Sequence, residues 1–313
     1  MEKAIQPKLS IIIVSYNTKE LLIECLFSVF NSLKNVDFET IVIDNDSKDG
    51  SAEEVQNHFP KVRLIKNQNN KGFAAANNQG LRLMRGKYAV LLNPDTLVVN
   101  SSLTKMVKFL EEHKRVGMLG CKIVNPDGSL QPSAFPLPTL KDLILSGFAA
   151  SWIFWGRYVQ RYSSRHYVPQ KVPVKVGWVS GACLMIRKRT MDEIGLLDEN
   201  FFLFSEDVDW CIRASRKGWA VIFYPEATII HYGGRSAQKN LALKISSFYQ
   251  KRFYFGKKHF GRPALLILKL ISFFELIGKG LIVGIFLKMD SKERRARLNG
   301  YEQAFKLIFR RIP

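Results

Sequence analysis

Four cysteines in 313 residues, with no CxxC pair among them, leave this chain little capacity for a disulfide framework or a thiolate metal cluster. Cys25, Cys121, Cys183 and Cys211 stand far apart, three of them inside apolar or helical patterns, and read as reduced core thiols. The first residues, Met-Glu-Lys-Ala-Ile-Gln-Pro-Lys, lack the apolar core and small-residue cleavage site of a secretory leader, so a cytosolic setting is expected. In that setting the sequons Asn45-Asp-Ser47 and Asn100-Ser-Ser102 are chance matches. Acids are scarce, 27 against 47 Lys and Arg, for a net charge of +20. The shortage is local: from Leu241 onward 16 Lys or Arg face 4 Asp or Glu, leaving +12 in the last quarter. A basic tail beside apolar sequence suits an anionic membrane face better than nucleic acid. No aromatic RNP-like or zinc signature supports a nucleic-acid partner, and none is expected.

The length suits one large domain with an appendage, or two unequal domains. Strand and helix patterns alternate through the first half. Leu9–Val14, Glu39–Ile43, Val62–Ile65 and Tyr88–Leu92 are short apolar runs, and helical periodicity follows over Lys19–Leu33, Phe73–Met84 and Ser101–Glu112. Ser51 with Glu54 resembles a capping box that opens a short helix towards His58. This alternation predicts βαβ units and a parallel sheet. Pro126, Pro132, Pro136 and Pro138 mark a loop region, and the aromatic stretch Leu140–Tyr162 reads either as a buried helix or as an apolar flap near an acceptor site. Strands are expected over Val172–Val179 and Ala182–Ile186, then a helix over Val208–Lys217 ended by Gly218.

Three acidic sites punctuate this pattern: Asp44-Asn-Asp46, Asn93-Pro-Asp95 and Glu206-Asp207-Val-Asp209. The first two follow apolar runs and so fall beyond the carboxyl ends of strands, where ligands of open α/β sheets collect. There an Asp can accept the imide N–H of uracil or thymine, or bind a divalent metal; the plain alternative is turn chemistry, which Asn, Pro, Asp, Ser and Gly also serve. For Glu206 to Asp209 the alternative is a helix N-terminus using acids to complement its dipole. His231 precedes Gly233-Gly234, whose backbone can approach a diphosphate closely, and Arg235, which can pair with phosphate oxygens.

Taken together, Ser15-Tyr16-Asn17, Asp44, Gly72-Phe-Ala-Ala-Ala-Asn77-Asn78-Gln-Gly80, Asn93-Pro-Asp95, Glu206-Asp207 and the His231 segment resemble the inverting GT-A glycosyltransferases of the GT2 family over Ser10 to about Ser236, and rhamnosyltransferase-like bacterial members in particular. The resemblance implies an α/β GT-A fold, a Rossmann-like nucleotide-binding sheet with helices on both faces, in a domain over 1–240 with a nucleotide-binding half (1–124) and an acceptor and catalytic half (125–240). The basic, apolar region over 241–313 is expected from its own charge and periodicity to be a helical membrane-associating segment. The resemblance also implies a nucleotide-sugar donor and a saccharide or lipid-linked saccharide acceptor of cell-surface polysaccharide synthesis. Ser15, Tyr16, Asn17, Asp44, Asp46, Gly72, Asn77, Asn93 and Arg235 would hold the donor, and Asp95 with His231 a Mg2+ or Mn2+ ion. Asp207 would be the general base, supported by Glu206. The family's usual Asp-x-Asp stands here as Asn93-Pro-Asp95, with one carboxylate fewer for the metal. A nucleotide-sugar-binding protein without turnover is the rival expectation.

Ala264–Leu287 is long enough to span a bilayer, yet Lys269, Glu275 and Lys279 interrupt it. With Ser272 they fall within an arc of about 120° at 100° per residue. A helix lying in the interface, or packed on protein, is therefore expected, at the cytoplasmic face of the inner membrane as a peripheral or monotopic element.

Overall fold

The computed structural model describes residues 6–33, 36–145, 171–233, 241–286 and 290–313. They fall into two compact units, one within Met1–Leu137, Tyr162–Glu199 and Glu206–Ser236, the other within Pro138–Arg161, Asn200–Ser205 and Ala237–Pro313. The aromatic stretch after Leu145, up to residue 170, lies outside the described residues, as does Arg235.

The first unit alternates as its sequence does. In order come β1 (Leu9–Ser15), α1 (Lys19–Ser32), β2 (Phe38–Asp44), α2 (Ser51–His58), β3 (Arg63–Lys66), α3 (Phe73–Leu83) and β4 (Tyr88–Leu92). Their strands pair in parallel in the order β3-β2-β1-β4. Next are β5 (Thr96–Val98), α4 (Ser102–Glu112), β6 (Val116–Val124), β7 (Leu130–Gln131) and β8 (Ala134–Phe135), and α5 (Leu140–Leu145) belongs to the second unit. The first unit resumes with β9 (Val174–Lys175), β10 (Trp178–Val179), β11 (Cys183–Arg187), α6 (Lys188–Ile194), α7 (Glu206–Arg216) and β12 (Ala220–His231). β11 runs antiparallel between β4 and β6, and the sheet ends β6-β12-β5.

Period-2 alternation along the central strands sends side chains to both faces. Leu9, Ile11 and Ile13 pack with Leu22, Cys25 and Leu26 of α1 and with Met106 and Leu110 of α4. Ile12 and Val14 pack on the opposite face with Ala74, Ala76 and Leu81 of α3 and Trp210 and Cys211 of α7. Gly80 brings α3 so close to β1 that a Cβ there would stand 2.6 Å from Ile12. All four cysteines are free and buried. Burial pushes the Cys25 thiol up to about 12, and the four side chains fit the expectation of reduced core thiols.

Two local expectations need correction. The cap of α2 is Gly50 at φ 80°, not Ser51, because the Asp49 carboxylate already accepts the Ser51 N–H and hydroxyl. The strand expected over Val172–Val179 is broken into β9 and β10, since Gly177 lies where a Cβ would stand 2.1 Å from the Leu137 backbone nitrogen.

The second unit is helical. α8 (Leu241–Leu281) bends at Gly261, whose φ of 87° only glycine adopts readily, with Pro263 just beyond. A π-helical turn (Ile282–Phe286) and α9 (Ser291–Phe309), capped by Asp290, follow. The two arms of α8 run antiparallel: Arg252 donates to Ser272 and Glu275, and Gly256 sits against Leu268. Ile245, Tyr249, Phe253, Leu268, Leu276, Tyr301 and Ala304 form the core of this unit. No described helix is long and apolar enough to cross a membrane.

Candidate active site

The parallel strands deliver their last residues to one edge. Ser15 and Asp44 are register partners at the ends of β1 and β2. The loops beyond are stitched together: the Asn17 N–H donates to Ser47 Oγ (2.9 Å), the Lys48 N–H to Asn17 Oδ1 (2.8 Å), and the Lys19 N–H to Asp49 Oδ2 (2.9 Å). Asn17 (φ 53°) and Asp46 (φ 74°) both hold the left-handed conformation, which Asn and Asp tolerate best among residues with a side chain. Asp44 is buried. Its Oδ2 accepts the Ser47 N–H, while its Oδ1 has no hydrogen-bond partner among the described residues. A buried carboxylate oxygen in that state is costly unless a ligand donor completes it.

Asn45, next in line, ties the site to the start of α3. Its amide donates to Asn70 Oδ1, and its oxygen accepts from Asn67 and from the Lys71 N–H. Gly72 (φ 82°) then opens α3. Asn77, expected to touch the donor, is buried and donates to the Phe73 carbonyl one turn back (2.9 Å). Asp46 pairs with Lys48 in solvent. Tyr16 is half-buried in the β1 loop.

β4 ends at Leu92, and Asn93-Pro-Asp95 turns directly into β5. The pairing of β5 with β12 sets Thr96 opposite His231, and the Tyr232 N–H donates to the Asp95 carbonyl (2.9 Å). Two residues 136 positions apart in the chain are thereby held side by side: His231 Nε2 lies 3.3 Å from Asp95 Oδ1, with both side chains largely buried. Asn93 Nδ2 is also 3.3 Å from Nε2. On the far side of the ring, Gln131 fixes the tautomer. Its Nε2 donates to the His231 carbonyl (2.7 Å), so its Oε1 is the atom 2.9 Å from His231 Nδ1, and an acceptor there requires Nδ1 to carry the proton. In the neutral imidazole this leaves the Nε2 lone pair on the side of the Asp95 carboxylate. Two electron-rich atoms turned towards each other fit a shared cation, and an imidazole–carboxylate donor set suits Mn2+ better than Mg2+. Among the described residues no cluster of three or more His, Cys, Asp or Glu could hold a metal. A cation held by Asp95 and His231 would have to take its other ligands from substrate oxygens and water, as divalent ions shared with phosphates do.

The acidic pair stands at the start of α7. Glu206 is buried and Asp207 half-buried in its first turn, after Phe204 (φ 71°) and Ser205 (φ 73°), two left-handed residues of types that rarely adopt that conformation. Asp207 Oδ2 accepts the Gly181 N–H and Oδ1 the Val208 N–H, both at 2.8 Å. One peptide along, the Ala182 carbonyl accepts the Asn93 N–H (3.0 Å). The turn before β11 therefore joins Asp207 to the Asn93-Pro-Asp95 segment through two short hydrogen bonds. Asp209, the third acid, is fully buried on Arg213 (2.8 Å) and is structural.

Residue patterns pointed to the strand-end acids, to Asp207 and to His231. They missed Gln131, Gly181 and Asn45. Gln131 lies in a two-residue strand whose pairing with Ile123 carries no periodic signal, and Gly181 acts through its backbone alone.

Comparison with known proteins gives a consistent answer. The profile of glycosyl transferase family 2 matches residues 10–195, more than half of the chain. An N-acetylglucosaminyl-diphospho-decaprenol L-rhamnosyltransferase of Mycobacterium tuberculosis is 29% identical over 71% of this chain and 75% of its own length. A dTDP-rhamnosyl transferase of Shigella flexneri is 22% identical over 82% of this chain and 79% of its own. Among solved structures, a mannosyltransferase of Pyrobaculum calidifontis in complex with GDP-Man and Mn2+ superposes with a TM-score of 0.55 at 16% identity, covering 97% of this chain and 87% of that one.

Proposed function

The chain belongs to glycosyl transferase family 2, and from that premise we propose that it is a metal-dependent inverting enzyme moving a sugar from a nucleoside-diphosphate donor to a glycan or lipid-linked glycan acceptor in cell-surface polysaccharide synthesis. The observation that carries the reading is the pair of hydrogen bonds linking Asp207, through Gly181 and Ala182, to Asn93. It holds a carboxylate and the His231–Asp95 pair in one fixed arrangement.

In this reading Asp44 Oδ1 accepts the imide N–H of the nucleobase, and Ser15, Tyr16, Asn17, Asp46, Gly72 and Asn93 line the donor, with Arg235 on its phosphates; the buried Asn77 braces the first turn of α3 instead of touching the donor. Asp95 and His231 hold a Mg2+ or Mn2+ ion, which supplies positive charge against the donor diphosphate. Asp207 takes the proton of an acceptor hydroxyl, supported by Glu206. The hydroxyl oxygen forms the new bond to the anomeric carbon from the face opposite the leaving group, the carbon–phosphate oxygen bond breaks, and the nucleoside diphosphate departs with that electron pair. Rhamnose is the first donor to test, because two relatives are named for its transfer. A lipid-linked acceptor is supported by the decaprenol-linked substrate in one of those names and by the basic carboxyl-terminal quarter. The same two features support a peripheral or monotopic position at the cytoplasmic face of the inner membrane.

The test is nucleotide release from a panel of nucleotide-sugars with Mn2+, with and without EDTA. Release from a dTDP-sugar that stops on chelation is expected. Donor binding with no release from any sugar would favour the rival, a nucleotide-sugar-binding protein without turnover.

A further inference from the structure

In the second arm of α8 the polar stripe faces the first arm. Glu275 is buried between Arg252 (3.0 Å) and Lys279, Ser272 is fully buried beneath Arg252, and Tyr249 donates to Glu275. Arg252 also donates to the carbonyls of Leu143 and Ile144 in α5. Burial and the adjacent Glu275 carboxylate push the Tyr249 hydroxyl well up, so it stays a donor. Every charge in this network has a partner, as buried charge requires.

The opposite face carries the apolar residues. Leu266 (68%), Ile267, Leu270 (61%), Phe274 (66%), Ile277 and Leu281 (54%) are exposed. At 100° per residue they occupy one arc of about 100°, turned away from Leu268, Ser272 and Leu276. Among the described residues, eight of the fifteen exposed large hydrophobic side chains lie between 266 and 285, so this is one stripe and not scattered exposure. Cations flank it. Arg262 is exposed at the start of the arm, and Lys269 donates to the Arg310 carbonyl, which brings the exposed Arg310 and Arg311 alongside. Between residues 259 and 289 the sole acid in the sequence is Glu275, and it is buried.

We infer that this stripe is the membrane-inserting surface, and that the second arm of α8 lies in the plane of an anionic bilayer with Leu266, Leu270, Phe274, Ile277 and Leu281 in the acyl boundary and Arg262, Lys269, Arg310 and Arg311 at the headgroups. An apolar face with a cationic rim, on a helix too polar on its other side to span, is the pattern of an interfacial helix. The inference deepens the peripheral-membrane reading of the proposed function and rests on it. It commits to lipid as the occupant, since the cationic rim repels a second copy of itself and attracts anionic headgroups.

Flotation of the full chain with phosphatidylglycerol/phosphatidylethanolamine vesicles tests it, using the wild type, Leu270→Ser/Phe274→Ser and Arg310→Gln/Arg311→Gln. The serine pair leaves charge unchanged at exposed positions. It is expected to cut vesicle partitioning about tenfold or more, and the glutamine pair to weaken binding to anionic but not to zwitterionic vesicles. Wild-type flotation undiminished in the serine pair would refute the face while keeping the membrane reading. No wild-type flotation would refute both. A wild-type dimer by sedimentation that the serine pair dissociates, without flotation, would assign the stripe to a second copy and overturn the inference. Nucleotide release, read in parallel, is expected to persist in the variants and keeps these outcomes separate from the enzymatic reading.

Discussion

At the scale of single residues, the site depends on groups that hold the acting side chains rather than act. Gln131 selects the Nδ1–H tautomer of His231 and so leaves Nε2 facing Asp95. Loss of such an outer hydrogen bond typically costs about 10–100-fold in metal affinity. Gln131→Leu should therefore weaken Mn2+ binding, read by the EPR signal of free Mn2+, by that order, while Gln131→Glu, which keeps an acceptor opposite Nδ1, should retain most of it. Equal Mn2+ affinity in Gln131→Leu would show that His231 needs no such orientation. Asp44 and Asp95 stand out in the sequence because each follows an apolar run that ends abruptly, and His231 because Gly233-Gly234 and Arg235 come after it. Gln131 was not, because its partner lies 100 residues away and its own strand has two residues.

Elements decide where these residues arrive. The parallel strands β1, β2 and β4 were readable from their apolar runs, and their ends share the edge where the donor is proposed to bind. β5 and β6 were not anticipated: β5 is three residues long, and Val116–Val124 contains Gly117 and Gly120, which interrupt a strand pattern. Those glycines have packing reasons, since a Cβ at Gly120 would stand 2.4 Å from Val179. The end of α4 is fixed by Arg187, buried at the end of β11, which donates to the carbonyls of Leu110 (2.7 Å), His113 (3.1 Å) and Val116 (3.2 Å). Arg187→Met would strip three carbonyls of a charged donor, two of those hydrogen bonds being buried, and should lower unfolding free energy by about 2–4 kcal/mol. Urea denaturation measures this; a midpoint unchanged from the wild type would mean that water replaces the guanidinium without loss. The second arm of α8 carries a different lesson. Its stripe of Lys269, Glu275, Lys279 and Ser272 was visible in the sequence, but not its direction, because Arg252, which neutralises Glu275 from the first arm, lies 23 residues away across a bend.

For the molecule as a whole, family membership, the mixed sheet with helices on both faces and the chemistry at its carboxyl edge point to one activity. The charge imbalance belongs mainly to the other unit, where it rims an apolar stripe. One unit thus carries the proposed transfer chemistry and the other the proposed bilayer contact. In that activity the carboxylate held by Gly181 is proposed to be the base. The direct measurement compares nucleotide release and donor affinity in the wild type and in Asp207→Asn, with the best dTDP-sugar and Mn2+ at saturation. The asparagine keeps an acceptor oxygen for the Gly181 N–H but cannot take a proton. Release should fall by about 10²–10⁴-fold, the range for loss of a general base, with donor affinity unchanged. Transfer at the wild-type rate in Asp207→Asn would contradict the account.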